Sequence, residues 1–294
     1  MSSSPHANVT RGGPTMAEEL DIARLRHVRR PHYGRIAAIV AIFILAALLV
    51  RAFATGKIDW ATTWEFLFWP TIMWGLFNTI WISFVCMAVG LVIGLACAVA
   101  HNSANPVLRG VAIFYAWFFR GAPVILQLLI WFNLALVFPT IGIPGLFEYK
   151  TVVLITPAVA TILSLGLNQG AYVSEIIRSG MLGVDRGQYE AAKAMGMTGG
   201  MALRRIILPQ AMRIVVPPLG NEFIGLVKMT ALASIIGFGD VVRSAQDIYY
   251  SNAKVIELLM VPTFWFLVIV TVLTVFQRML ERRYGRGFGT GGAR

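Results

Sequence analysis

What this sequence lacks narrows its chemistry first. It has no G-x-x-x-x-G-K-[ST] phosphate loop, so it carries no cradle of its own for a nucleoside triphosphate. It has no H-E-x-x-H, C-x-x-C or G-x-S-x-G, which removes the common zinc-hydrolase, redox and serine-hydrolase arrangements. Its four histidines, His6, His27, His32 and His101, lie in polar tails or turns and form no metal-ligand cluster. Only two cysteines occur, Cys86 and Cys97, both inside one apolar run. They read as small buried hydrophobes, not as a disulfide framework. Charge is scarce as well: 13% of the 294 residues are charged, against about 25% in soluble domains. The formal net charge of +11 does not point to nucleic acid, because the basic residues flank apolar runs instead of lining a soluble face.

Long apolar runs are what the sequence has. They suffice for about six membrane spans of roughly 20 residues each, in an all-α polytopic helix bundle. Residues 1–34 are polar and read as a cytoplasmic tail. Residues 35–56 hold an unbroken apolar run, 36–50, between Arg35 and Arg51. This is a first span with snorkelling arginines; a cleaved signal segment is the alternative, without a convincing small-residue cleavage site. Residues 57–70 form an outer-side linker, where Trp60, Trp64 and Trp69, with Trp74 beyond, mark an aqueous interface.

The main membrane domain is 71–283, followed by a basic tail, 284–294. In the span 72–100, Gly90, Gly94 and Ala98 lie four apart, a stripe for close helix contact. Residues 101–110 read as a polar turn. The run 111–138 is too long for one span, and Arg120, Gly121 and Pro123 offer a break. A short helix near the inner surface should precede a span over 123–138, with Arg120 as a structural anchor bonding headgroups or freed carbonyls. Pro139, Gly142, Pro144 and Gly145 read as an outer loop. The next span, 151–177, ends in Glu175 and Arg178, spaced to pair on one helix face. In the span 214–236, Pro217 and Pro218 should kink the helix or delay its start. The last span is 258–276. Arginines gather in the N-terminal tail, at Arg109, over 178–213 and in the C-terminal tail, which puts both termini and the loop 181–213 in the cytoplasm.

That loop is the longest polar interruption in the second half of the chain. Glu190, Ala191, Ala192, Lys193, Ala194 and Met195 favour a helix, with Asp185 and Gln188 as a capping box and Gly196 as the stop. Gly199 and Gly200 give a hinge, and a second short helix, 201–207, should end or bend at Pro209.

EAAKAMG at 190–196, followed by IILPQA at 206–211, resembles the EAA loop of ABC importer permease subunits. FFRGAPVILQ at 118–127, AYVSEIIRSG at 171–180 and PPLGNEFIGLVKMTALAS at 217–234 resemble the polar-amino-acid class of that family. The resemblance covers roughly 71–283. It implies a five-helix permease core, to which the first span is an addition. It implies a bacterial inner-membrane subunit that is no enzyme and binds no cofactor. ATP and magnesium belong to a cytoplasmic ATPase dimer. A second permease subunit, identical or sister, and an external binding protein that delivers a polar amino acid or similar small polar solute complete the implied assembly. For coupling to the ATPase it points to Gln188, Glu190, Ala191, Ala192 and Gly196, with Leu208 and Pro209 bracing the loop against the spans. Gln127, Asn168, Tyr172, Lys228 and Thr230, polar within apolar runs, are candidates for the solute path; each could equally be packing glue. Where the family usually reads K-D-T-S-L, this chain has KMTAL at 228–232, which weakens the carry-over there. A self-sufficient secondary transporter or channel is the alternative, although paired broken helices in two related halves are not evident. A membrane scaffold or receptor without transport is a third reading.

Overall fold

The protein, seen here in a computed structural model, is described over residues 33–143 and 146–284. The polar N-terminal tail, Pro144, Gly145 and the basic C-terminal tail lie outside the described residues. The chain divides into two units, Met1–Lys57 and Ile58–Arg294. In the first, α1 (Tyr33–Thr55) is a helix of 23 residues, about 35 Å long, enough to cross a bilayer. It contains the apolar run read as the first span.

The second unit begins with α2 (Trp60–Phe66), capped by Asp59, whose carboxylate accepts from the Thr62 amide at 3.3 Å. A feature absent from the sequence reading is how firmly this stretch is tied down. Lys254 Nζ lies 2.6 Å from Asp59, the Asp59 amide donates to Glu257 at 3.0 Å, and Trp265 Nε1 donates to the Leu67 carbonyl at 2.8 Å. The Lys254 ammonium, followed by the Thr62 hydroxyl and amide, holds the Asp59 carboxyl well below the usual carboxylate range.

Helix α3 (Pro70–His101) starts with Pro70 in its first turn, where the missing N–H costs nothing. After a short turn, α4 (Pro106–Gly121) begins, capped by Asn105 accepting from the Val107 amide at 2.9 Å. The proline at its start sets this helix going within the stretch read as a polar turn. The chain then bends by 100° into α5 (Val124–Phe132). The break falls where Gly121 and Pro123 led us to expect it. The span expected over 123–138 is not one helix, however. Nine residues reach only about 14 Å, and Asn133, bonding back to the Leu129 carbonyl at 2.9 Å, competes with further helix. A 3₁₀ turn (Leu134–Leu136) follows.

The expected outer loop is a small antiparallel hairpin, β1 (Thr140–Ile143) and β2 (Phe147–Lys150), in the register Thr140 to Lys150 and Ile143 to Phe147. Prolines and glycines hid its strand formers, Ile141, Ile143, Phe147 and Tyr149. The next span does not start at residue 151 as one helix. A single turn, α6 (Thr151–Leu154), precedes α7 (Pro157–Leu182), because the proline pushes residue 156 out of helical geometry.

Helices α3 and α7 form the axis of the bundle. Cys86 packs on Leu165, Gly90 on Gln169, and Gly94 on Gly170 and Val173. Both sets climb in the same direction, so the two helices run parallel, in steps of about one turn. The Gly90–Gly94 stripe is therefore the α3–α7 contact. Parallel neighbours require the chain to return between them, and α4 and α5 make that return as one broken crossing.

Helices α8 (Arg186–Ala194) and α9 (Gly199–Ala202) follow α7, and a π-helical turn (Leu203–Ile207) leads into α10 (Leu208–Met229). Pro209 does not end this helix. It sits in the first turn of α10, and the wider turn ahead of it removes the need for its N–H. Nor does the helix begin after Pro218: Pro217 and Pro218 lie inside it. Gln277 of α12 (Val255–Tyr284) packs there, donating to the Pro217 carbonyl at 2.6 Å. A 3₁₀ segment (Thr230–Ile236) and α11 (Val241–Asn252) join α10 to α12. Ile82, Cys86, Leu165, Leu226 and Ala233 fill the centre of the bundle. A second cluster, Leu67, Ile72, Val241, Leu258 and Val261, joins α2, α3, α11 and α12.

Among the described residues, four helical stretches are long and apolar enough to cross a membrane: α1, α3, the run Gly199–Ile236, and α12. The bent α4–α5 pair makes five. The expected count of about six is reached only with α7, whose 26 residues have the length but carry a buried polar seam of Thr161, Ser164, Asn168 and Gln169.

Candidate functional site

The knob after α7 is built from the residues that the sequence singled out. Asp185 caps α8, its carboxylate accepting from the Gly187 amide at 2.7 Å. The reciprocal half of the expected capping box is not made. The Gln188 side-chain oxygen instead accepts from Gln210 Nε2 at 3.1 Å, tying α8 to α10. Gly196 adopts φ +70°. Its amide donates to the Lys193 carbonyl at 3.0 Å and the Met197 amide to the Ala192 carbonyl at 3.1 Å. This pair of bonds is the Schellman closure that a left-handed residue allows. Thr198 then caps α9, accepting from the Met201 amide at 3.4 Å.

The predicted coupling residues separate into two groups. Gln188, Glu190, Ala191 and Gly196 are exposed, whereas Ala192 is fully buried. Leu208 and Pro209 also face outward. Val184, Ile207 and Ala211 form the small core that seats the knob on the bundle, with Met181 and Ile206 around it. Met195 is 78% exposed and Tyr189 42%. These two apolar side chains stand open beside the glycine turn, and the sequence did not single them out. The only signal was an apolar residue at the last turn of an otherwise polar helix.

The solute-path candidates are also sorted by the fold. Gln127 and Asn168 are buried at the α4–α5 bend. Gln127 Nε2 donates to the Phe119 and Ala122 carbonyls at 3.1 and 2.9 Å, and Asn168 Nδ2 to the Phe119 carbonyl at 2.6 Å. They satisfy the carbonyls that the break leaves without helical partners. The freed-carbonyl role expected of Arg120 therefore falls to these two amides. Thr230 is buried and bonds its own helix at the Val227 carbonyl, 2.7 Å away. Lys228 is exposed. The Glu175–Arg178 pair forms, with Arg178 Nε 3.0 Å from the carboxylate.

Arg120 lies over the Tyr172 ring, 5.5 Å from its centroid, a cation–π contact of about 0.5–2 kcal/mol. Two cavities meet there. One, of about 510 Å³, has His101, Glu175 and Arg178 in its wall; the other, of about 340 Å³, has Asn168, Gln169, Glu222 and Met229. Gln169 Nε2 donates to Glu222 at 3.3 Å across α7 and α10. Arg120 and Glu222 thus give the second cavity one cation and one anion, arranged among neutral amides.

Comparison with known proteins agrees with this architecture. Residues 90–286 match the family described as binding-protein-dependent transport system inner membrane component. An arginine transport system permease protein of Corynebacterium glutamicum is 38% identical over 259 residues, covering 87% of this chain and 82% of that protein. A glutamine transport system permease protein of Escherichia coli strain K12 is 32% identical over 228 residues, covering 77% and 98%. The crystal structure of an amino acid ABC transporter with histidines contains a chain that superposes with TM-score 0.68 at 32% identity, covering 77% of this chain and 99% of that one.

Proposed function

The chain belongs to the family of binding-protein-dependent transport inner-membrane components, and on that premise we propose that it imports an amino acid, with the α8–α9 knob as the seat of a cytoplasmic ATPase. As a family member it is a multi-pass permease subunit of an ABC importer, and ATP hydrolysis belongs to a separate subunit. The self-sufficient transporter and the scaffold reading fall with that membership.

One observation carries the coupling reading. The knob is seated on the bundle through buried Val184, Ile207 and Ala211, while Glu190, Ala191 and Met195 are exposed on it. Closure of an ATPase dimer, loaded with ATP and magnesium, pushes on this surface. The Gln188–Gln210 bond and the buried core pass the displacement to α10, and the bundle tilts between two states. The assembly has two permease subunits side by side and a binding protein on the opposite face. A bacterial cytoplasmic membrane, with α8 and the arginine-rich end of α12 facing the cytoplasm, agrees with the distribution of basic residues.

The substrate reading rests on the names of the relatives and on the mixed charge of the smaller cavity. A zwitterion has one carboxylate and one ammonium, and Arg120 and Glu222 supply the opposite signs. Ionised groups in a span need such partners.

The test is extraction of the chain from native membranes in mild detergent, with partners identified by mass spectrometry. An ATPase subunit should co-purify, and Glu190→Lys should abolish that association. Recovery of the chain alone, still transporting in liposomes, would overturn the coupling role of the knob.

A further inference from the structure

The two cavities share three lining residues: Arg120, Gly121 and Tyr172. Gly121 contributes no side chain, and a Cβ placed on it would meet nothing within 4 Å. The side chains common to the two cavities are therefore the Arg120 guanidinium and the Tyr172 ring it lies on. Among the described residues Arg120 has no carboxylate within salt-bridge distance, since the ion pairs found are Glu175–Arg178, Arg243–Asp247 and Asp59–Lys254. Its face is occupied by the ring and its donor edge has no anionic partner.

We infer that the Arg120–Tyr172 stack is a partition in the solute path, and that it opens for solutes bearing a carboxylate. A planar guanidinium binds a carboxylate through two parallel hydrogen bonds and stacks on an aromatic face, so it can exchange one partner for the other without standing uncompensated. A carboxylate entering from the cavity that contains Glu222 draws the guanidinium off the ring and clears the way to the cavity beside Arg178. An amine without a carboxylate can pair with Glu222 but offers the guanidinium only a like charge, so it leaves the stack closed. This inference rests on the amino-acid importer reading and adds a selectivity element within the chain itself.

The experiment uses the assembled transporter with Met229→Cys, in a chain where Cys86→Ser and Cys97→Ser remove the native thiols. A membrane-impermeant maleimide is added from the side of the knob. Residue 229 lines only the far cavity, so labelling should be slow with the stack in place. It should stay slow in Tyr172→Phe, which keeps the ring, and become about tenfold faster in Tyr172→Leu. Arg120→Gln, which removes the cation and leaves the ring, should accelerate it similarly and serves where Tyr172→Leu fails to assemble. Equal labelling in all forms would overturn the partition. In parallel, Arg120→Gln should lower amino-acid uptake at saturating binding protein at least tenfold and narrow the preference over the corresponding decarboxylated amine. Unchanged preference would overturn the carboxylate role. If the parent transporter moves no amino acid, the importer substrate reading fails, while the labelling still decides the partition.

Discussion

Gln277 fills the space that a side chain at Gly220 would occupy. A Cβ built on Gly220 coincides with the Gln277 amide oxygen, while the same amide's nitrogen donates to the Pro217 carbonyl at 2.6 Å. The paired prolines of α10, the glycine three residues on and a glutamine 57 positions later are one packing unit. Gly220→Ala should evict Gln277 and lower stability by about 1–3 kcal/mol, the cost of leaving a buried polar group unpaired. Gly220→Ala combined with Gln277→Ala should lose less than the sum of the two single changes. Thermal unfolding of the four forms in detergent measures the coupling, and strict additivity would count against the contact.

Gly94 sets the distance between α3 and α7. Its Cβ would stand 2.7 Å from Val173 Cβ and 2.9 Å from the Gly170 carbonyl, a backbone atom that cannot rotate away. Gly94→Ala should cost about 1–3 kcal/mol by overpacking, and Gly94→Leu should prevent assembly. Gly110→Ala in α4 is the control: its Cβ meets nothing within 4 Å, and alanine is the better helix former by about 0.5–1 kcal/mol. Melting temperatures should move in opposite directions for the two alanine variants.

Gly196 closes α8 at φ +70°, in open space. A replacement therefore pays only through the backbone, about 1–2 kcal/mol for a residue that resists the left-handed region. Gly196→Val should reshape the exit of the knob and abolish uptake while the amount of chain in the membrane stays normal. Gly196→Asn, which tolerates that conformation, should be milder. Uptake assays beside membrane immunoblots separate the two effects, and normal uptake by Gly196→Val would count against coupling through this turn.

Asp240 caps α11 through the Arg243 amide at 2.8 Å, is fully buried, and leaves its second carboxyl oxygen without a partner. Burial pushes its pKa up to about 7, against the opposing effect of the backbone amides around it. The fold thus holds a proton that the unfolded chain releases near 3.8. The contribution of this group to stability is then greatest below that lower value, falls as pH rises between the two, and levels off above about 7. Asp240→Asn keeps an acceptor for the cap and has no charge to bury. It should raise the melting temperature at pH 8 by several degrees and by almost nothing near pH 4. A constant difference across that range would remove the titration from the account.

The helical class, the long apolar helix next to Arg35, the break at Gly121–Pro123, the Gly90–Gly94 contact stripe and the Gly196 stop were legible because each rests on local chemistry. Apolar run length, proline's missing N–H and glycine's free backbone act within a few residues. The knob was legible for the same reason, as was the Glu175–Arg178 pair at three-residue spacing. The hairpin at 140–150 was not, because its pairing joins two short strands whose turn residues look like any loop.

Among the candidate site residues, sequence could say only that Gln127, Asn168, Tyr172, Lys228 and Thr230 are polar among apolar neighbours. Tertiary packing divided them. Gln127 and Asn168 close the carbonyls of a helix end folded back upon them, Thr230 bonds its own helix, Lys228 is exposed, and Tyr172 lines both cavities beneath Arg120. Pro217 and Pro218 would break an isolated helix, yet α10 continues through them, with Gln277 bonding the Pro217 carbonyl from α12. By itself the sequence determined that this chain lives in a membrane as helices and carries a polar knob. Only the tertiary structure decided which polar groups satisfy broken backbone and which line a cavity, because a buried donor takes the nearest unpaired carbonyl, and proximity across about 50 residues is set by packing.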